Sequence, residues 1–507
     1  MAYINSKLSQ LPLPIVEPFL VVDKSFVHEE FSHKGICDQN QRIYLENRYK
    51  SLFEEDQRFN RKVVSFQANK GESVHGWIKY KEGFSSQLVE TLINEFGTES
   101  GTWLLDPFAG SATTLLVSNA MGINAIGIEI LPICHLAWEA KHQSADYNLQ
   151  ELDSIMRLLL ATKPVDNGHK FPHVTITEGA FSPEIERDLM FYTEWFEKLK
   201  VSNRTKLLCK LIITSILEKV SYTRKDGQYL RWDYRSEKVR KANSVRIESG
   251  KPPVKKIDKG DLPNVKEALI KTFQEVFVDI SILQKIYIKN GSIQKLIKGN
   301  TLEVLPTLES NKYDGVITSP PYANRYDYTR TYALELAYLS MGTQINSLRQ
   351  SLLSCTVESH SKIQILQDYY YSIDQSKKYD EILEILNTNP VLQEVNNALK
   401  IRWERGDMNN RGVLRMIEQY FQELTFVFAE LFRISKTGSH IAFVNDNVRY
   451  GGEIIPVDTI TTNLAEIVGF EPTKIYVLAQ KKGNSSQQME RFGRAELRKC
   501  ITIWRKP

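Results

Sequence analysis

The chain has 507 residues, 42% of them hydrophobic, and a formal charge of +4. That length predicts several domains, or one domain with large insertions. The hydrophobic content is that of a soluble globular protein. The near-neutral charge excludes a globally basic chain, so any affinity for phosphate must come from a local patch.

Five cysteines, Cys37, Cys134, Cys209, Cys355 and Cys500, are far apart, odd in number and free of C-x-x-C pairing. This argues against a disulfide frame or a structural zinc site, and no metal is expected. The N-terminus lacks a positive region followed by an apolar run, and no apolar stretch is long enough to span a bilayer. A cytoplasmic protein is expected.

Residues 1–73 are mixed and weakly periodic, extended around Pro12, Pro14 and Pro18 and helical over 41–60. They are expected to wrap the main domain. Phe84, Leu88, Leu92 and Phe96 then recur every four residues, which predicts an amphipathic helix capped by Ser85 or Ser86.

Residues 102–116 follow, with an apolar strand running into Asp106-Pro107-Phe108-Ala109-Gly110-Ser111 and then a helix. Small residues in that turn let a ligand approach the backbone. The helix start offers free N–H groups and partial positive charge. The next predicted strand ends at Glu129, and an acid at that place in a doubly wound sheet commonly holds ribose hydroxyls. The glycines of a dinucleotide fingerprint are missing, so a nucleoside without a pyrophosphate fits better. S-adenosylmethionine is such a ligand. A purely structural βαβ corner is the plainer alternative.

A long interruption covers 143–292 and is helical over 149–161 and 205–220. Between residues 221 and 260 there are 12 Lys and Arg against 5 Asp and Glu, a local charge of +7. Arg224, Lys225 and Arg231 are interleaved with Tyr222, Tyr229, Trp232 and Tyr234. Cations suit phosphates and rings suit bases or sugars, so Arg224, Lys225, Tyr229, Arg231 and Trp232 are candidate nucleic-acid contacts. A solvated surface loop is the competing reading.

The sheet pattern resumes at Ile297–Asn300, where Asn300 can bond an adenine edge. Residues 313–322 read Tyr-Asp-Gly-Val-Ile-Thr-Ser-Pro-Pro-Tyr. Val316 and Ile317 suit a buried strand, which Pro320 and Pro321 stop because neither can donate to a ladder. The fixed φ angles aim backbone carbonyls, Ser319 adds a hydroxyl, and Tyr322 adds a ring just outside the sheet. That combination can grip a planar heterocycle bearing an amino group; an ordinary strand exit is the alternative. A second helical interruption spans 343–411. A helix over 414–431, a strand at 438–446 and a final antiparallel hairpin pair, 470–479 and 500–504, complete the pattern.

Together, Asp106–Ser111 and Thr318-Ser319-Pro320-Pro321-Tyr322 resemble the cofactor loop and catalytic loop of the amino-methyltransferases that modify DNA bases from S-adenosylmethionine. The helix at 84–96 is similar to the segment covering the methionine end of the cofactor. The resemblance implies an α/β, Rossmann-like sheet, mostly parallel with an antiparallel C-terminal hairpin and large helical insertions. The catalytic domain would comprise 74–142, 293–342 and 412–507. It implies cofactor contacts from Phe84, Asp106, Phe108, Gly110, Ser111, Thr113, Glu129, Asn300 and Thr318. Catalysis would fall to Ser319, Pro320, Pro321 and Tyr322, acting on a base rotated out of double-stranded DNA. Serine at the first loop position looks more like the cytosine-N4 than the adenine-N6 enzymes. Ala112 departs from the glycine common in the family. A cognate restriction enzyme is an implied partner. An RNA guanine-N2 methyltransferase and a catalytically silent DNA-binding subunit are the rival readings.

Overall fold

The computed structural model describes residues 26–226, 230–286, 289–478 and 489–507. Tyr229, one of the candidate nucleic-acid contacts, lies outside the described residues, as does the proline-rich start of the chain.

Twelve strands are described: β1 (Phe53–Glu54), β2 (Trp103–Asp106), β3 (Asn124–Glu129), β4 (Thr223–Lys225), β5 (Leu230–Trp232), β6 (Gln294–Lys298), β7 (Tyr313–Thr318), β8 (Ser435–Asp446), β9 (Val448–Tyr450), β10 (Glu453–Ile455), β11 (Glu471–Leu478) and β12 (Lys499–Arg505). Eight form one sheet in the order β1-β11-β12-β8-β7-β2-β3-β6. All neighbours are parallel except β12, which runs antiparallel to both β11 and β8. The mostly parallel sheet and the antiparallel terminal hairpin are therefore as predicted. Strand order reverses at β2 and β7, which lie side by side, and their carboxyl ends carry the two signature loops. Such a switch point is where open α/β sheets form a crevice.

Local chemistry explains the central elements. β7 is buried along its apolar run and ends one residue before Ser319. The helix Ser86–Phe96 starts at Ser85, whose hydroxyl accepts the Leu88 N–H. It stops at Gly97, whose left-handed backbone lets Thr98 N–H reach the Ile93 carbonyl. Leu88, Val89, Leu92 and Ile93 are fully buried beneath it.

The two insertions pack into different cores, and only that of the second includes residues of the sheet. The helices Leu149–Ala161, Pro183–Lys198, Asn203–Val220 and Val265–Ile286 pack in one apolar cluster with Leu131–Ala140 and Tyr326–Tyr338. The helices Ile363–Ser372, Ser376–Thr388 and Pro390–Glu404 pack with the long helix Gly412–Ile434 against one sheet face. A buried charge network fixes the second group. Arg42 bonds Glu394 at 2.8 Å and Glu453 at 3.0 Å, while Arg402 bonds Glu453 at 2.6 Å and Asp407 at 3.1 Å.

Two predicted boundaries move. The helix expected over 41–60 is Asn40–Tyr49, followed by β1, which pairs with β11 because Phe53 gains burial at that edge. The strand before Asn300 is β6, so Gly299 and Asn300 lie beyond its end. Residues 221–260, read as a basic stretch with no element assigned to it, hold the β4–β5 hairpin and a helix, Glu237–Glu248. No helix among the described residues is long and apolar enough to cross a membrane.

Candidate active site

The carboxyl ends of β2, β3 and β7 open into a cleft of about 750 Å³. Phe84, Phe108, Gly110, Ser111, Thr113, Glu129, Asn300, Ser319 and Pro321 all line it. The fold thus brings residues more than two hundred positions apart onto one surface.

Glu129 organises the cofactor-loop side. Its Oε2 accepts the Gly110 N–H at 2.7 Å, and Oε1 accepts the N–H groups of Ile130 and Leu131, each at 2.8 Å. A carboxylate offers about four acceptor positions, so three backbone donors leave room for another hydroxyl. Burial raises its proton affinity and the three N–H groups oppose this; burial prevails.

Asp106 lies beneath the cleft. Its Oδ1 accepts from Thr318 Oγ1 at 2.8 Å and Phe108 N at 3.1 Å, and its Oδ2 accepts from Thr114 Oγ1 at 2.7 Å. Desolvation holds it up at about 6 despite those donors. Neither Asp106 nor Thr318 lines the cleft. They join the two signature loops from below, because a fully buried carboxylate must be satisfied by nearby donors.

Gly110 has φ +52°, and a Cβ there would meet Tyr80 Cε1 at 2.7 Å. Ala112 adopts φ +63° with its methyl buried. The left-handed backbone costs about 1–2 kcal/mol. Burial of the methyl offsets part of that, and the turn closes with the Ala112 N–H on the Ala109 carbonyl at 2.8 Å.

At the other loop, Ser319 Oγ lies 2.9 Å from the Tyr322 hydroxyl and 3.3 Å from the Val444 carbonyl. The Tyr322 ring lies beyond the end of β7 and is buried there, as is Pro320. Lys499 Nζ sits 5.0 Å from the Tyr322 ring centroid and 3.4 Å from Asp446. Tyr80, Phe84, Phe108 and Tyr328 are the rings that line the cleft. Asn300 lies at the rim, where its Oδ1 caps the helix Thr301–Val304 through Leu302 N–H.

Sequence reasoning missed Tyr80, Glu82, Tyr328 and the wall formed by Ser351, Leu352 and Leu353 from the second insertion. Tyr80 stacks on Tyr332 with centroids 5.4 Å apart. No local signal marks these residues, because only tertiary packing carries them to the cleft.

The basic stretch divides. Lys225 is buried in a 2.5 Å pair with Glu335 and lies over the Tyr332 ring, so it is not presented to a phosphate. Arg231 pairs with Asp226. Lys238 Nζ covers the Trp232 ring at 4.5 Å. Arg224 is exposed, and the helix Glu237–Glu248 buries none of its side chains. Its Lys238, Arg240 and Lys241 form an exposed basic surface, with the half-buried Arg246 beside them and Lys251 and Lys255 beyond it.

A family model described as DNA methylase, N6_N4_Mtase, matches residues 17–137. The type II methyltransferase M.BsoBI of Geobacillus stearothermophilus is 55% identical over 479 residues, covering 94% of each chain. The type II methyltransferase M.AvaI of Nostoc sp. is 41% identical over 473 residues, covering 91% of this chain and 92% of its own. M.MjaII of Methanocaldococcus jannaschii is 25% identical over 381 residues, covering 58% of this chain and 70% of its own. Sheet order, signature loops and near full-length identity agree: the chain belongs to the N4/N6 amino-methyltransferase family of type II DNA methylases.

Proposed function

We propose that this enzyme methylates the N4 amino group of a cytosine flipped out of double-stranded DNA. Ser319 in the shared cleft carries this reading. A hydroxyl at the first loop position, held near Tyr322 and Val444 O, is a short acceptor for one amine N–H. An acid or asparagine there would suit adenine by resemblance.

The chemistry of the cleft lining suits S-adenosylmethionine. Phe84, Phe108, Ile130 and Leu131 supply apolar walls, and Glu129 keeps an acceptor position for a ribose hydroxyl. When bound, that group supplies an electrophilic methyl on a sulfonium. Gly110, Ser111 and Thr113 let it approach the backbone, while Asp106 and Thr318 hold the two loops in register.

The exocyclic nitrogen is a weak nucleophile because its lone pair is shared with the ring. Acceptance of its hydrogens by Ser319 Oγ and the Pro320 carbonyl would draw the nitrogen toward a tetrahedral form and free that pair. Orientation and electrostatics then supply most of the acceleration. Tyr80 and Tyr328 are better placed than Tyr322 to contact the flipped ring, since they line the cleft.

DNA is expected to dock across the basic helix Glu237–Glu248, and the catalytic parts 74–142, 293–342 and 412–507 to work with 143–292 as the reading module. A paired type II restriction endonuclease and a cytoplasmic location follow from the same reading. Nucleoside mass spectrometry of DNA from expressing cells tests it: 4-methylcytosine is expected. Methyladenine without 4-methylcytosine overturns the cytosine assignment. Label transferred to RNA alone, or to neither nucleic acid, overturns the DNA activity.

A further inference from the structure

Glu82 lies on the cleft wall with Ser319, between Lys81 and Gly83. Its backbone is left-handed, at φ +65°, a conformation that residues bearing a Cβ hold only when their surroundings impose it. The side chain is exposed to the cleft. Among the described residues its carboxylate makes no hydrogen bond and no ion pair within 4.0 Å. The charged and titratable groups facing it are Lys81 on its own segment, Asp446 and Lys499 from β8 and β12, and Tyr322, Tyr326 and Tyr328 from the segment after the Pro-Pro loop. One of them, Tyr322, has its hydroxyl 2.9 Å from Ser319 Oγ. A carboxylate on a left-handed backbone, without a hydrogen-bond or ion-pair partner among the described residues, therefore shares the cleft wall with the serine of the catalytic loop.

Amino methylation leaves a proton to dispose of, and a serine hydroxyl accepts a hydrogen bond but does not hold a proton at neutral pH. We propose that Glu82 is a catalytic residue, the acceptor of the proton released by the target amine. The inference rests on reading the cleft as the site of methyl transfer to an exocyclic amine. The nitrogen lone pair forms the new nitrogen–carbon bond as the sulfur–carbon bond breaks, and the electron pair of the broken bond stays on sulfur. Nitrogen keeps the electrons of one N–H bond, the Glu82 carboxylate takes the proton, and solvent later receives it. Enclosure by the cleft walls holds Glu82 above the ordinary carboxylate range, which makes it a stronger base than a solvated glutamate.

The test is single-turnover methyl transfer to DNA by wild type, E82Q, E82D and E82G, followed from about pH 5 to about pH 9, with calorimetry for S-adenosylmethionine and anisotropy for DNA. Glycine suits the left-handed backbone, so E82G removes the carboxylate without straining the fold. E82Q and E82G are expected to slow transfer by about 10²–10⁴-fold with both affinities nearly unchanged. The wild-type rate should rise with pH as Glu82 loses its proton. That acid limb should vanish in E82Q and persist in E82D at a reduced rate. A wild-type rate or an unchanged acid limb in E82Q overturns the proposal. Equal loss of cofactor and DNA affinity in all three variants also overturns it, since the role is then structural. If wild type itself labels no DNA amine, the methyl-transfer reading has failed; label on wild type with an unaffected E82Q sinks the proton acceptor alone.

Discussion

Lys225 of β4 and Glu335 of the helix Ala333–Tyr338 meet at 2.5 Å with both side chains buried. Lys225 Nζ also sits 4.6 Å from the Tyr332 ring centroid, and the Tyr332 hydroxyl accepts the Lys81 N–H at 2.7 Å. The first insertion is thereby tied to the segment that carries Tyr80 and Glu82 into the cleft. A buried pair of this kind stabilises little against an apolar replacement, but removing one partner strands the other charge. Lys225→Ala is therefore expected to lower stability by about 3–5 kcal/mol, read by urea denaturation. An unchanged midpoint would show that the pair is dispensable.

DNA affinity should respond elsewhere. Arg224, Lys251 and Lys255 are exposed on the basic face, so alanine at each is expected to reduce the salt dependence of binding by about one unit of slope per lost phosphate contact. Anisotropy titrations over a range of salt measure this. If all three slopes match wild type, the basic face does not meet the duplex.

Ser319→Ala removes the hydroxyl that lies against Tyr322 and Val444 O. Turnover is expected to fall about 10–1,000-fold with cofactor affinity nearly intact, as for a group acting in the transition state. Comparable loss in calorimetric affinity for S-adenosylmethionine would instead make it a cofactor ligand.

Glu129→Gln keeps the shape of the side chain but removes the charge shared by three backbone N–H groups. Hydrogen bonds to charged groups contribute about 1.5–3 kcal/mol, so cofactor affinity should fall by at least about tenfold. Calorimetry showing wild-type affinity in a folded variant would release Glu129 from the ribose role.

Lys141 is buried with a 3.3 Å contact to the His75 carbonyl, and desolvation holds its ammonium down at about 8. In the unfolded chain a lysine titrates near 10.4. Below about pH 8 both states are protonated and the native state bears the full cost of burial. As pH rises from there toward the unfolded value, the native lysine is already neutral while the unfolded one still binds a proton, so stability rises. Lys141→Met should gain about 3 kcal/mol at pH 7 from the lost desolvation, less about 1 kcal/mol for the lost bond to His75. It should also abolish the alkaline rise. Thermal melts at pH 7 and at alkaline pH test both, and lower stability at pH 7 would contradict the argument.

The parts legible in the sequence were those carried by short-range physics. Val316 and Ile317 running into two prolines fixed where β7 ends, and Asp106–Ser111 opening a helix marked the second loop. Glu129, Ser319 and Gly110 were identifiable because strand ends, turns and capping positions restrict residue type locally. The strands β11 and β12 were marked by their short apolar runs.

What only the tertiary structure decided were the positions whose meaning depends on partners far along the chain. Lys225 and Arg224 are near neighbours in one basic run, yet opposite sides of a short strand send one to Glu335 and the other to solvent. The surroundings of the Tyr322 ring are set only when β8 and β12 bring Val444, Asp446 and Lys499 around its loop. Glu82 looks like an unremarkable loop acid, because a left-handed turn and a cleft wall are not encoded in residue type. Side-chain burial is a property of the packed elements together, and the energy that assigns it arises only when strands and insertions hundreds of residues apart are in contact.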